Sequence, residues 1–312
     1  MAAEPLRIGV VGTGALGRHH VRILASLPEA QLVGLHDARP EVGAAVAAEH
    51  GTRSFADLDA LAAEVEAVVL AVPTVEHAHL GERLLGQGLH LLVEKPIAAT
   101  LQEADALIAA AARGGRTLAV GHVEFFNPAV QTLVGHGTAP GFVEVQRLGV
   151  FSPRSLDVDV ILDLMIHDLQ ILHDLDPTPV SEVRATGIAV LSPRIDIANV
   201  RLQLASGCVA NLTASRVSAE KVRKLRVFGP NRYLSLDYQS QELKGYELEQ
   251  TAGERRIAPL DLPVTPGEPL RRELEAFVRA CLGGPTPLVS GEQGRQALAT
   301  ALDVLAAIGT VS

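Results

Sequence analysis

The chain has 312 residues, 47% of them hydrophobic and 20% charged, with a formal net charge of -9. That is enough apolar area for two globular cores, and the acidic balance argues against a nucleic-acid or anionic-membrane partner. The cysteines Cys208 and Cys281 lie far apart in no metal-binding spacing, no run approaches the ~20 apolar residues of a membrane span, and no basic-then-apolar leader precedes the first strand. A cytoplasmic protein without disulfides or a structural zinc is therefore expected.

Ile8-Gly9-Val10-Val11 is an apolar, largely β-branched run of the kind that fills a parallel strand buried on both faces. It leads into Gly12-Thr13-Gly14-Ala15-Leu16-Gly17, then into a helical pattern with Leu16, His20, Ile23 and Leu24 on one face. A second apolar run, Leu32-Val33-Gly34-Leu35, is followed by Asp37, about twenty residues past the last glycine, which is the spacing of a dinucleotide-binding fingerprint. In that motif Gly12 permits the tight turn, Gly14 lets the backbone approach a pyrophosphate, and Gly17 lets helix and strand pack closely. The helix N-terminus behind Ala15 and Leu16 offers N–H groups and a positive dipole end to the phosphates. Asp37 can accept from the adenosine ribose hydroxyls. It favours NAD, since a 2′-phosphate would meet its carboxylate, while Arg39 could hold that phosphate and keeps NADP as the alternative.

Strands and helices continue to alternate. Strands are expected at residues 7–11, 31–35, 67–72, 90–93 and 117–121, with helices at 40–50, 76–87 and 101–113. Thr100 with Glu103 reads as a capping box for the last helix. This is a doubly wound parallel sheet, assigned to residues 1–122. From 123 to 312 the texture changes to alternating strands at 142–150, 180–190, 199–204, 209–215 and 221–228, interrupted by a helix at 161–175 and closed by helices at 268–282 and 292–308. An α+β domain with an open, mainly antiparallel sheet is expected there.

Several residues could carry chemistry. Lys95, in Val93-Glu94-Lys95-Pro96, follows a strand of the first sheet, where ligands of open α/β sheets bind, although a solvated loop lysine reads the same way. Asp163 and His167 are four apart on a very apolar helix, and must be satisfied or functional. A buried structural pair and a metal pair are alternatives, but no further ligand accompanies them, so no metal is expected. Pro73 would stop a strand and shape the loop beside a nicotinamide, with His77 just beyond it. His19 and His20 read as plain helix residues. Arg154, Arg216, Lys221 and Arg223 could face a phosphorylated ligand or form an ordinary charged strand surface.

Taken together, the glycine turn, Glu94-Lys95-Pro96 and Asp163-Leu164-Met165-Ile166-His167-Asp168 resemble the glucose–fructose oxidoreductase, inositol dehydrogenase and rhizopine catabolism (Gfo/Idh/MocA) family, in order and spacing along nearly the whole chain. The segments Gly121-His122-Val123-Glu124, Phe126-Asn127-Pro128 and Phe151-Ser152-Pro153-Arg154-Ser155, with the stretch from Asp157 to Asp168, are most similar to its UDP-N-acetylglucosamine 3-dehydrogenase branch. Phe125 stands where a basic residue is expected in that branch. The resemblance implies an N-terminal Rossmann domain and a C-terminal sheet that makes a homodimer or homotetramer. It implies a catalytic set of Lys95, Asp163 and His167, with Gly12, Gly14, Ala15, Leu16, Gly17, Asp37, Arg39, Pro73, His77, Glu94 and Lys95 on the cofactor. Lys95, Glu124, Asn127, Arg154, Asp163 and His167 would meet the substrate. The implied reaction is hydride transfer between a sugar secondary alcohol and NAD(P), on a nucleotide sugar such as UDP-N-acetylglucosamine at C3. The alternatives are a free sugar, inositol or other cyclic polyol and, from another class, a non-catalytic NAD(P)-binding regulator.

Overall fold

The computed structural model describes residues 4–151, 158–251 and 254–309. Its first part alternates as β1 (Leu6–Val11), α1 (Gly17–Leu24), β2 (Ala30–His36), α2 (Pro40–His50), β3 (Arg53–Ser54), α3 (Leu58–Ala62), β4 (Ala67–Leu70), α4 (His77–Gly86), β5 (His90–Glu94), α5 (Leu101–Gly114) and β6 (Leu118–Gly121). The strands form one parallel sheet in the order β3-β2-β1-β4-β5-β6. Ile8, Val10, Val68, Val69 and Leu70 are fully buried, as expected of strands covered on both faces. The strand order reverses between β1 and β4, which makes the carboxyl ends of these strands the ligand-binding edge of the sheet. Two short elements, β3 and α3, escape the sequence pattern because neither is long enough to show a period. β4 ends at Leu70 rather than at 72, and Pro73, with no N–H to donate, follows two residues later.

Two compact units divide the chain, and the segment Glu268–Arg295 belongs to the first, with the described residues through Val123. By sequence that segment was expected in the second domain. The reason lies in the apolar face of α8 (Pro269–Cys281): Leu274, Phe277 and Val278 share one core with Ile8, Val10, Val21 and Leu24. Val120 N–H donates to Val289 O at 2.9 Å, so the stretch after α8 also covers the edge strand β6.

The second unit holds Glu124–Gly267 and the described residues from Gln296 on. It contains α6 (Pro128–Gly135), β7 (Phe142–Leu148), α7 (Ile166–Leu175), β8 (Val180–Ile188), β9 (Ile197–Leu204), β10 (Val209–Ser215), β11 (Val222–Gly229), β12 (Arg232–Asp237), β13 (Glu242–Thr251), β14 (Glu254–Pro259) and the later part of α9 (Gly291–Ile308). Its eight-stranded sheet runs β14-β13-β12-β11-β7-β10-β9-β8, antiparallel except for the parallel pair β7 and β10. In β9, Ala198, Val200, Leu202 and Leu204 are buried, while Asn199, Arg201 and Gln203 face solvent. The buried face packs on Ala129, Val130 and Leu133 of α6, on Ile166, Leu169 and Leu172 of α7, and on Ala297, Ala301 and Val304 of α9. The other face is polar, with Arg201 donating to Asn211 and Arg226 paired to Glu144. Strands β12 to β14 were not foreseen, although Tyr233-Leu234-Ser235-Leu236 alternates in the way that would have revealed the first of them. Among the described residues no helix is long and apolar enough to cross a membrane.

Candidate active site

In the first unit the glycine turn sits at the carboxyl end of β1. Gly12 adopts φ +84°, and a side chain there would strike the Ala71 carbonyl at 2.5 Å. A Cβ on Gly17 would lie 1.9 Å from Gly12 O, so only glycine closes this turn against its own helix. Gly14 has open space in front of it, and Ala15 and Leu16 are exposed. No side chain caps the first turn of α1 and no acidic residue lies in it, so an anion there meets the positive end of the helix and no carboxylate.

Asp37 is 8% exposed and clamps this turn. Its Oδ2 accepts from Thr13 N at 2.8 Å and Thr13 Oγ1 at 2.9 Å, and its Oδ1 accepts from Arg39 N at 2.9 Å. Burial pushes its carboxyl up, but the Arg39 and Thr13 N–H groups, the Thr13 hydroxyl and the Arg39 charge together hold it below the usual carboxylate range. Arg39 Nε, 3.4 Å from Oδ1, takes the fourth of the carboxylate's four acceptor positions, so a ribose hydroxyl would have to displace that long contact. Thr13 is the functional residue that sequence reasoning missed here, since the fingerprint leaves its position unspecified.

Lys95 follows β5 and is half-buried. The neighbouring Glu94, expected at the cofactor, turns inward instead. Its Oε1 accepts from His20 Nε2 at 2.8 Å and its Oε2 from Lys95 N at 3.2 Å. Burial would raise this carboxyl, and the His20 bond and the Lys95 charge bring it below its ordinary value. His20, taken from sequence as a plain helix residue, therefore ties α1 to the end of β5. The signal was its place on the apolar face of α1. His77 is 1% exposed, with Nδ1 2.9 Å from Pro96 O and Nε2 3.0 Å from Val72 O. It holds together the loops after β4 and β5 rather than presenting a free ring to a cofactor. Burial pushes its pKa down despite the carbonyl acceptors, so at neutral pH the ring donates to one oxygen at a time.

In the second unit Asp163 lies in a π-helical turn, Ile161–Met165, rather than in the regular helix expected. Ile166 N–H reaches back five residues to Ile161 O, and such wide turns recur at functional sites. Asp163 is half-buried and His167, in the first turn of α7, is 7% exposed. Of the substrate candidates, Glu124 is engaged by Arg147 at 2.7 Å and Arg223 at 3.2 Å. Asn127 is 1% exposed; its Oδ1 caps α6 by accepting from Ala129 N and its Nδ2 donates to Tyr238 O. That commitment removes Asn127 from the substrate set. Arg216, considered for a phosphate, is instead bound to Asp196 Oδ1 at 2.7 Å and donates to Val158 O. Arg154 lies outside the described residues.

A parallel sheet in this order, with a glycine turn and an acidic side chain at its switch point, defines a dinucleotide-binding domain. Residues 6–122 match the family described as "Oxidoreductase family, NAD-binding Rossmann fold", and residues 102–235 match the "GFO/IDH/MocA C-terminal domain". The chain is 39% identical over 307 residues to the UDP-N-acetylglucosamine 3-dehydrogenase of Acidithiobacillus ferrooxidans, covering 97% of each protein. A solved structure of that enzyme superposes with a TM-score of 0.91 over 98% of both chains. The inositol 2-dehydrogenase of Rhizobium meliloti is 29% identical over 95% of this chain and 94% of its own. The chain belongs to the Gfo/Idh/MocA oxidoreductase family.

Proposed function

We propose that this protein is an NAD-dependent dehydrogenase of a secondary alcohol on a nucleotide sugar, with C3 of UDP-N-acetylglucosamine as the first candidate. The observation that carries the reading is the 39% identity, across almost the full length of both chains, to an enzyme of that name.

The first unit suits NAD: an open backbone at Gly14, the uncapped positive end of α1 and an acidic side chain at Asp37 match pyrophosphate and ribose. Bound nicotinamide supplies a hydride acceptor for the carbinol C–H. Lys95 donates to the carbinol oxygen and stabilises the negative charge that grows there. His167 accepts the hydroxyl proton as the ketone forms, and Asp163 orients the ring or an adjacent sugar hydroxyl. Asp37 disfavours a 2′-phosphate, whereas the exposed Arg39 side chain is the group that would accept one in an NADP-using enzyme.

The full-length match to an inositol 2-dehydrogenase supports a cyclic polyol as the second reading. Assembly into a homodimer or homotetramer is assigned to the polar face of the eight-stranded sheet, and the compartment to the cytoplasm, where the NAD pool and thiols such as Cys208 and Cys281 stay reduced. Turnover is to be followed by nicotinamide absorbance with UDP-N-acetylglucosamine, free N-acetylglucosamine and myo-inositol, each with NAD and NADP. Turnover of the nucleotide sugar with NAD by at least tenfold in kcat/KM over the others is expected. Preference for inositol or for NADP overturns the corresponding part of the proposal.

A further inference from the structure

Beside His167 stands an ion pair that the reaction itself does not require. Asp168 is 1% exposed and Arg147 2% exposed. Arg147 donates from Nε to Asp168 Oδ2 and from Nη2 to Asp168 Oδ1, both at 2.7 Å, and from Nη1 to Glu124 at 2.7 Å. Tyr238 Oη donates to Asp168 Oδ1 at 3.2 Å, and the guanidinium lies 4.8 Å over the Tyr238 ring. Tyr238 is fixed in turn, because its carbonyl accepts from Asn127 Nδ2 at 3.0 Å. The fork therefore joins α7 to β7, to the end of β12 and to the start of α6.

Arg147 occupies a place on β7 where alternation calls for an apolar residue, on the same face as Val143 and Val145. Burying an ion pair stabilises a fold poorly, since desolvation offsets most of the attraction. What a two-point fork provides is direction. An apolar contact allows a helix to roll or slide, whereas parallel N–H···O bonds tolerate little rotation. Direction matters at this point because the π-helical turn breaks the regular ladder just before His167, and no side chain caps the start of α7. Asp168 is the next residue along, about 100° further round the helix, so holding its carboxylate sets where the His167 ring points.

We propose that Asp168, clamped by Arg147 and Tyr238, is a positioning residue that fixes the rotation of α7 and with it the direction of the His167 imidazole. This rests on the reading of His167 as the proton acceptor. A misplacement of about 1 Å at a reacting group lowers rate by about 10²-fold.

The test uses the full chain with NAD and UDP-N-acetylglucosamine as probe, comparing Asp168→Asn, the apolar double variant Arg147→Met with Asp168→Leu, and His167→Ala. The double variant removes both charges together and so keeps a foldable core if the single variant does not fold. The expected result is kcat lowered about 10- to 10²-fold with KM values for both ligands within about threefold, and a larger deuterium isotope effect from substrate labelled at the oxidised carbon. A second readout needs no turnover: the ring-carbon NMR signal of His167 shifts in both Asp168 variants. Partial unfolding lowers kcat in proportion to the folded fraction and leaves the isotope effect and the signal unchanged, and that outcome overturns the proposal. Wild-type turnover in Asp168→Asn alongside lost turnover in His167→Ala overturns the positioning role alone. Wild-type turnover in His167→Ala overturns the catalytic reading, and the positioning role with it.

Discussion

At the scale of single residues, buried polar groups divide between those that hold the site and those offered to ligands. Thr13 and His20 are holders: one fixes Asp37 under the glycine turn, the other fixes Glu94 beside Lys95. Thr13→Val keeps the shape of the side chain and removes one hydrogen bond to a carboxylate. It is expected to lower stability by about 2 kcal/mol and to weaken NAD binding, as read by denaturant unfolding and cofactor fluorescence titration. Unchanged NAD affinity would show that the Asp37 clamp does not serve the cofactor. His167→Ala should behave in the opposite way, leaving the NAD dissociation constant alone and lowering kcat by about 10²- to 10⁴-fold. Glu273, on α8, is fully buried with neither carboxyl oxygen in a hydrogen bond among the described residues; burial and the Glu94 charge push its pKa well above the usual carboxylate range.

Among the elements, α5 shows local sequence deciding a boundary outright. Thr100 accepts from Glu103 N at 3.2 Å, and the Glu103 side chain accepts from Thr100 N at 3.1 Å, the capping box that the sequence indicated. Thr100→Ala is expected to lower stability by about 1 kcal/mol with no change in turnover, checked by thermal melting alongside an activity assay. The helix ending in α7 shows the reverse case. Its apolar composition indicated a helix at 161–175, but nothing in it distinguishes the π-helical turn from regular winding, because that choice depends on what the sheet below accommodates. Helix α8 is similar. Its amphipathic face announced a helix at 268–282, and hydrophobicity has no address, so which of two cores would bury Phe277 was not written in the face itself.

For the whole molecule, each unit encloses a histidine that folding keeps neutral. Burial, aided by the Lys95 charge, pushes His122 down to about 3. Burial pushes His173 down to about 4, where Nδ1 accepts from Gln296 Nε2 and Nε2 donates to Thr300 Oγ1. A histidine whose folded pKa is depressed contributes stability above its unfolded value near 6.5, and that contribution is lost as pH falls toward the folded value. Each should therefore remove about 2 kcal/mol of stability between pH 7 and pH 5. Urea unfolding across that range is expected to show a fall in stability for His173→Gln that is smaller than the wild type's by about 2 kcal/mol, a difference in which other titrating groups such as Glu273 cancel. The same pH dependence in the wild type and in His173→Gln would contradict the burial of the His173 ring.

The sequence by itself determined the order of the longer strands and helices from β1 to β6, the glycine turn and the capping box. These are local matters: period, turn chemistry and spacing are complete within a dozen residues. Only the tertiary structure decided that Glu94 turns to His20, that Asn127 and Arg216 are used inside the fold, that Glu268–Arg295 joins the first core, and that Arg147 grips Asp168. In each of these the partner lies tens to hundreds of residues away. A buried polar side chain must find a partner, yet the chain around it records only the need, and packing supplies the answer.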